Sequence, residues 1–375
     1  MGLWIFLLAA FLIIGISALV YLYRKILAAV KYFSNGMSGV KRHLMTTGIF
    51  ILFLIPGYFV FVTWFILFLH FTVFLLLCDL TKAVVCKINK DKSVSYPGWM
   101  KPAYKLGAVA LLLTCAVYAY GKYNMYHVKQ TVYEVTIDKP ISQEYTAALI
   151  ADLHYGISLN GEQLQRQADL IEAASPDFVI LCGDIVDEST TIEGMDEAFA
   201  ILGGIKSKYG TYYVYGNHDS GTFRSPPNFN GVQLEQTIEK YGITVLKDES
   251  VTINNDILLI GRKDRMFGER MSIEELTEDA DFTKVILIAD HQPNDYVNLD
   301  KAGCDMILSG HTHAGQVFPF GVLGELSGAN DMTYGYRKVG NLNAYVTSGI
   351  AGWGFDLRTE KHSEYVLIHI KGKKS

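Results

Sequence analysis

The chain changes character near residue 121. Upstream, three apolar runs (3–23, 47–80 and 106–120) are separated by basic loops; downstream, short apolar runs alternate with amphipathic stretches. The first run is unbroken and ends at Arg24-Lys25. About 20 residues rising ~1.5 Å each cover a hydrocarbon layer of ~30 Å. No Lys or Arg precedes the run, and it is longer than a signal-peptide core, so a retained helix is expected. The second run is too long for one upright helix and carries Pro56-Gly57, which removes an amide donor and weakens the helix there. The third is short. Lys105 and Lys122 can snorkel at its ends, and Tyr118, Tyr120 and Tyr123 suit an interfacial belt.

Basic residues orient these segments. Arg24, Lys25, Lys31, Lys41 and Arg42 follow the first run, and Lys82, Lys87, Lys90, Lys92 and Lys101 follow the second. Both loops favour the cytoplasmic side, so an even number of crossings separates them. The second run then reads as a hairpin turning near Pro56-Gly57, with its first arm starting before Lys41. Four crossings follow, in a multi-pass protein of the cell membrane with its C-terminal domain on the extracytoplasmic side. One long tilted helix, giving three crossings, is the rival. His70, inside the apolar run, is expected to be a neutral histidine bonded to a neighbouring helix rather than a functional group. The expected division is a transmembrane region over 1–121, a juxtamembrane linker over 122–130 and a globular domain over 131–375.

In the C-terminal part, β-type runs are read at 131–137, 146–150, 178–182, 211–215, 257–260, 284–289, 306–308 and 344–346, with helical patterns at 161–174 and 195–205. Such alternation predicts an α/β domain with its ligand site at the carboxyl ends of the strands.

Composition narrows the function. Of 375 residues, 50% are hydrophobic and 19% charged, with a net charge of −5, which excludes a disordered chain and a strongly basic nucleic-acid binder. No nucleic-acid partner is expected. The five cysteines form no CxxC pair, which argues against a disulfide scaffold or a cysteine zinc module. No GxxxxGK[ST] loop or GxSxG elbow occurs.

What does occur is a set of polar clusters just past the apolar strands: Asp152-Leu153-His154, Gly183-Asp184-Ile185-Val186-Asp187, Gly216-Asn217-His218-Asp219, Asp290-His291-Gln292-Pro293 and Gly310-His311-Thr312-His313. Neutral imidazole, carboxylate and amide oxygen are ligands for Zn, Mn, Fe or Co. Residues two apart in an extended segment share a face, so Asp152 and His154 can grip one ion, and His311 and His313 have the same spacing. A carboxylate can bridge two cations, and Asp184 is the natural bridge. Glycines at 183, 216 and 310 allow sharp turns at the strand exits. Two cations about 3.5–4 Å apart clamp a phosphate and generate hydroxide at neutral pH. Asp187 and Asp290 are read as structural, Cys182 as core, and Asn217 either as a ligand or as a turn residue.

This five-block set resembles the calcineurin-like metallophosphoesterase superfamily over residues 131–370. The GHTHAGQ stretch at 310–316, the DHQP at 290–293 and the N-terminal apolar segments are similar to its membrane-anchored bacterial branch, which includes phosphoesterases like UDP-2,3-diacylglucosamine hydrolase. The resemblance implies a four-layer α/β/β/α sandwich of two mixed sheets behind N-terminal transmembrane α-helices. It implies two divalent metal ions (Mn2+, Zn2+ or Fe), one held by Asp152, His154, Asp184 and His313, the other by Asp184, Asn217, His291 and His311. His218 resembles the family's non-ligand histidine near the leaving group, with Asp219 orienting it. Asn217, His218 and Arg358 are the candidate substrate contacts. The expected activity is hydrolysis of a phosphodiester or pyrophosphate, lipid-linked or of phospholipid type, by in-line attack of a metal-bridging hydroxide. The alternatives are a phosphomonoesterase acting on soluble extracytoplasmic nucleotides and a catalytically silent metal-bound scaffold or sensor. The partners expected are the bilayer and the phosphate ester.

Overall fold

The computed structural model describes residues 2–88, 100–219 and 223–373. Lys90 and Lys92 of the second basic loop lie outside the described residues. The chain forms two units, Met1–Tyr120 and Gly121–Ser375.

In the first unit, three helices are long and apolar enough to cross a membrane: Leu12–Phe33, Gly39–Phe59 and Phe61–Ile88. The helix Ala108–Tyr126 is not among them, because its second half carries Lys122 and Asn124. The long second run is broken, as a hairpin requires. The helix continues through Pro56, and the break falls at Val60 (φ −135°, ψ 58°). Phe53 lies against Trp64, Phe68 and Phe71, and the Trp64 indole donates to the Phe53 carbonyl at 3.1 Å, so the two arms fold back on each other. His70 differs from expectation. Its Nδ1 lies 2.8 Å from the Ile66 carbonyl of its own helix, not a neighbour's. That carbonyl, one turn back, is the polar group within easiest reach.

The second unit has twelve strands among the described residues: β1 Lys129–Ile137, β2 Tyr145–Ile150, β3 Phe178–Cys182, β4 Thr211–Val214, β5 Ile243–Val245, β6 Glu249–Ile253, β7 Ile257–Gly261, β8 Val285–Ala289, β9 Met306–Ser309, β10 Gly335–Val339, β11 Leu342–Val346 and β12 Glu364–Gly372. The stretch expected as a linker is helix to Tyr126 and strand from Lys129.

The strands form two six-stranded mixed sheets, in orders β1-β12-β2-β3-β4-β5 and β10-β11-β9-β8-β7-β6. β2 to β5 run parallel, as do β7, β8, β9 and β11; β12 is antiparallel to β2, and β6 and β10 are antiparallel edges. Strand alternation decides the layers. Ala147, Leu149, Phe178, Ile180 and Cys182 enter the core between the sheets, while Ala148, Ile150, Val179 and Leu181 face the helices Gly161–Ala173, Ile192–Gly203 and Gly231–Lys240. On the far side, Ile286, Ile288 and Ile307 pack under Ile273–Thr277 and Tyr296–Lys301. Both faces of the central strands are covered, which is why they read as unbroken apolar runs. Asn160 with Gln163, and Asn230 with Gln233, form capping boxes that start two of the outer helices. The result is the expected four-layer sandwich, with the carboxyl ends of the parallel strands of both sheets opening toward one site.

Candidate metal centre

Five of the parallel strands, β2, β3, β4, β8 and β9, each hand one or two side chains to the site. Asp152 and His154 follow β2, Asp184 follows β3, Asn217 and His218 follow β4, His291 follows β8, and His311 and His313 follow β9. The exits are not extended. Asp152, His154, Asp184, His311 and His313 take φ of 55°, 40°, 52°, 73° and 49°. Left-handed backbone at a non-glycine residue costs roughly 1–3 kcal/mol and persists only where the surroundings impose it. Here the strand-end turns brace each other: Asp152 N–H donates to the Gly183 carbonyl and His154 N–H to that of Asp184, both at 3.0 Å. Two glycines are sterically required. A Cβ on Gly216 would lie 2.2 Å from Asp184 Oδ1, and one on Gly310 would lie 2.6 Å from Asp152 Oδ2.

These turns assemble two clusters, Asp152–His154–His313 and Asp184–His291–His311, each with its ligand atoms within 4.8 Å of one another. His311 and His313 therefore part company despite their spacing. In the first cluster, His154 Nε2 is 3.2 Å from His313 Nε2, which is 3.6 Å from Asp152 Oδ1. In the second, His291 Nε2 is 3.1 Å from Asp184 Oδ2, and His311 Nδ1 is 2.8 Å from Asn217 Oδ1. One atom joins them: Asp184 Oδ2 is also 3.6 Å from His154 Nε2. Its partner Oδ1 accepts the His218 backbone N–H at 2.8 Å.

The donor set fits cations. The His291 Nδ1 faces the Cys182 carbonyl at 2.8 Å, so it carries the proton and the Nε2 lone pair points at the Asp184 carboxylate. That Nε2 is buried without a hydrogen-bond partner. Buried polar atoms are rarely left so, and a positive ion between the clusters relieves the repulsion of lone pairs and carboxylates. Proton affinities follow the same field. Burial, aided by the Asp184 charge, pushes Asp152 up to about 6. Burial opposes ionisation of Asp184 too, but His291 and His154 outweigh it and hold that carboxyl below the usual range. Burial also disfavours charge on His154 and His291, yet Asp187 and Asp184 raise the former, and Asp184 raises the latter well above the ordinary range. Burial, then the charge of His291, brings His311 down to about 4; burial, then His154, holds His313 well below normal.

Residues 145–315 match the family model described as calcineurin-like phosphoesterase. An uncharacterized metallophosphoesterase of Helicobacter pylori is 30% identical over 253 residues, 66% of this chain and 64% of the relative. A transmembrane protein with metallophosphoesterase domain from Danio rerio is 27% identical, over 72% of this chain and 63% of its own. Family model and relatives agree on the calcineurin-like metallophosphoesterase superfamily. The chain thus spans somewhat under two thirds of the length of each of these two relatives. Among solved structures, a dimetal phosphatase from Danio rerio is similar over 54% of this chain and 86% of its own, at 12% identity and a TM-score of 0.37.

Around the candidate metal centre, two expectations are corrected. Asp219 does not orient His218. Its buried carboxylate accepts four backbone N–H groups, of Asp184 and Gly216 at 2.7 Å, Ile185 at 2.9 Å and Val186 at 3.0 Å, and so ties the β3 exit to the β4 exit. Glu188 meets His218 instead, with Oε2 at 2.9 Å from Nδ1. Its only signal in the sequence was its place directly after the GDIVD block. Arg358 does not face a substrate either. It is fully buried and donates to the carbonyls of His313 at 2.9 Å and Ala351 at 2.5 Å. A guanidinium can be buried there because carbonyl dipoles converge on it, and it supports the turn that carries His313.

The remaining residues take supporting positions. Asp187 Oδ2 lies 3.3 Å from His154 Nδ1, and its other oxygen accepts from Ser189. Asp290 is buried between Arg262 and Arg270. Cys182 is in the core. His218 sits between Phe223 and Trp353, with ring centroids 4.8 and 5.2 Å away.

Proposed function

We propose that the chain is a membrane-attached phosphoester hydrolase working with two divalent cations. The observation that carries this reading is the single oxygen, Asp184 Oδ2, turned toward both His154 and His291 at the meeting point of two ligand clusters. Asp152, His154 and His313 with Asp184 would hold one ion; Asp184, Asn217, His291 and His311 would hold the other. When bound, the cations supply charge to the phosphate oxygens and lower the pKa of water. The chain's own groups do the rest. His218 faces the leaving oxygen, stabilises its charge or hands it a proton, and is held at Nδ1 by Glu188. Asp219 and Arg358 keep the strand-end turns in place. Trp353 and Phe223 limit the water around His218.

For substrate, the reading is a phosphodiester or pyrophosphate, lipid-linked as in a UDP-diacylglucosamine or a phospholipid, because apolar helices tether the domain to a bilayer. Four crossings would deliver it to the extracytoplasmic face. Support for a membrane-anchored bacterial branch comes from the GHTHAGQ and DHQP stretches.

The test is hydrolysis of bis-p-nitrophenyl phosphate by the detergent-purified chain, metal-stripped and with added Mn2+, beside Asp184→Asn. Metal-dependent turnover that the variant loses, together with loss of both bound ions, is the expected result. Turnover that survives in Asp184→Asn, or proceeds in chelator, refutes the reading.

A further inference from the structure

One surface helix of the phosphoesterase unit is built inside out. Phe320–Ser327 follows the GHTHAGQ turn. A helix on a globular surface normally buries its apolar stripe and shows its polar side. Here Gly321 is buried, with space for a Cβ closed by Glu360 Oε1 at 2.6 Å and the Ala314 carbonyl at 2.8 Å, and Gly324 faces Thr333. The small side is therefore docked. Phe318, Phe320, Val322, Leu323 and Leu326 are exposed, Leu326 by 79%. From Ala314 to Asn330, Glu325 is the one ionisable residue. A contiguous apolar ledge of this kind on a soluble surface marks an interaction site.

Neighbouring contacts identify the occupant. The Phe318 N–H donates to Thr359 Oγ1 at 3.0 Å, the Gly321 N–H to Glu360 Oε2 at 2.9 Å, and the Thr359 N–H to the Gln316 carbonyl at 2.9 Å. Two residues back along that loop, the Arg358 N–H donates to the Gly121 carbonyl at 3.1 Å. Gly121 immediately follows the apolar run 106–120, and Tyr123 beside it is exposed. The loop that supports the ledge thus also receives the chain where it leaves its last apolar segment.

We infer that Phe318–Leu326 seats in the headgroup and upper acyl region of the bilayer that the N-terminal helices enter, as an interfacial helix beside the metal centre. His313 is five residues from Phe318, and Gln316 joins the ledge to Trp353, which borders His218: its Oε1 accepts the Trp353 N–H at 2.9 Å. A phosphate ester presented at the level of lipid headgroups then reaches the site without leaving the membrane surface. This deepens the lipid-linked reading of the substrate and rests on it for the catalytic half alone.

The test uses the full chain in nanodiscs of phosphatidylcholine, with and without bromine on the acyl chains. Leu326→Trp adds a reporter at an exposed position. The expected result is extra emission, blue-shifted and quenched by brominated lipid beyond the parent protein. Extra emission that stays unquenched overturns the inference, and blue-shifted emission that tracks protein concentration instead of bromine assigns the ledge to a protein partner and overturns it too. In parallel, Leu323→Ser/Leu326→Ser should hydrolyse a diacylglycerol p-nitrophenyl phosphodiester in the same bilayer at least about tenfold more slowly, since burying even one leucine side chain is worth about that factor. Soluble bis-p-nitrophenyl phosphate should be hydrolysed at the parent rate. Equal effects on both substrates, or on neither, refute the ledge's role. If the parent hydrolyses neither, the phosphoesterase reading fails while the quenching result still decides the ledge.

Discussion

Replacing Glu188 by Gln tests how His218 is held. The carboxylate oxygen lies 2.9 Å from Nδ1, with the His218 and Glu188 side chains 13% and 28% exposed. Glutamine keeps an acceptor at nearly the same length, so the main loss is charge against a developing imidazolium. Two unit charges at ~4 Å interact by about 4 kcal/mol at an effective dielectric of ~20 and by about 1 kcal/mol in water. Partial exposure puts this pair toward the lower figure, roughly 1–2 kcal/mol, and at about 1.4 kcal/mol per tenfold the expected fall in kcat is roughly 5–30-fold. Glu188→Ala removes the acceptor as well and approaches the ~100-fold loss of an acid–base group. Bound metal and KM should hold, because Glu188 belongs to neither ligand cluster. Glu188→Asp should recover part of the rate. Steady-state kinetics on bis-p-nitrophenyl phosphate with metal analysis provides the measurement. Parent-like kcat in both Gln and Ala variants would refute the positioning role, and so would loss of metal in step with loss of rate.

Three further outcomes follow from the same geometry. Arg358→Ala leaves the His313 and Ala351 carbonyls without their buried donor and should destabilise the protein by about 3 kcal/mol or more, read as a lower thermal midpoint; a variant of parental stability with only KM raised would restore the substrate-contact role. Metal-free protein should lose stability as pH climbs above 6.5, because the raised affinities of His154 and His291 stabilise the folded state fully below the unfolded value of 6.5 and fade as each deprotonates. Denaturant midpoints in chelator at about pH 6.5 and about pH 8.5 check the sign, and added Mn2+ should abolish the slope. Gly216→Ala, whose Cβ would lie 2.2 Å from Asp184 Oδ1, should cost bound metal while leaving the secondary structure by circular dichroism intact.

The sequence by itself determined most of the central strands and which candidate ligand types follow them. Central strands covered on both faces must be apolar throughout, so β2, β3, β4, β7, β8 and β9 could be read directly, and the candidate metal-ligand residue types stand just after all of these but β7. Three edge or short strands escaped because their pattern is not apolar: β6 and β10 are largely exposed, and β5 is three residues long; the buried β12 was also missed, although the edge strand β1 was read. The split of His311 from His313 was not available from an i, i+2 rule, since both lie in left-handed turns rather than extended chain. Only the tertiary structure decided the partners of the supporting residues. Glu188 meets His218 across 30 residues, in a loop held by Asn228 through the carbonyls of Glu188 and Thr190; Arg358 reaches His313 across 45. Asp219 serves four backbone amides where its place in the sequence suggested an imidazole. Local pattern sets which groups a strand end offers. Which of them meet is set by how two sheets pack, and a buried charge takes the partners that packing leaves within a hydrogen bond's length.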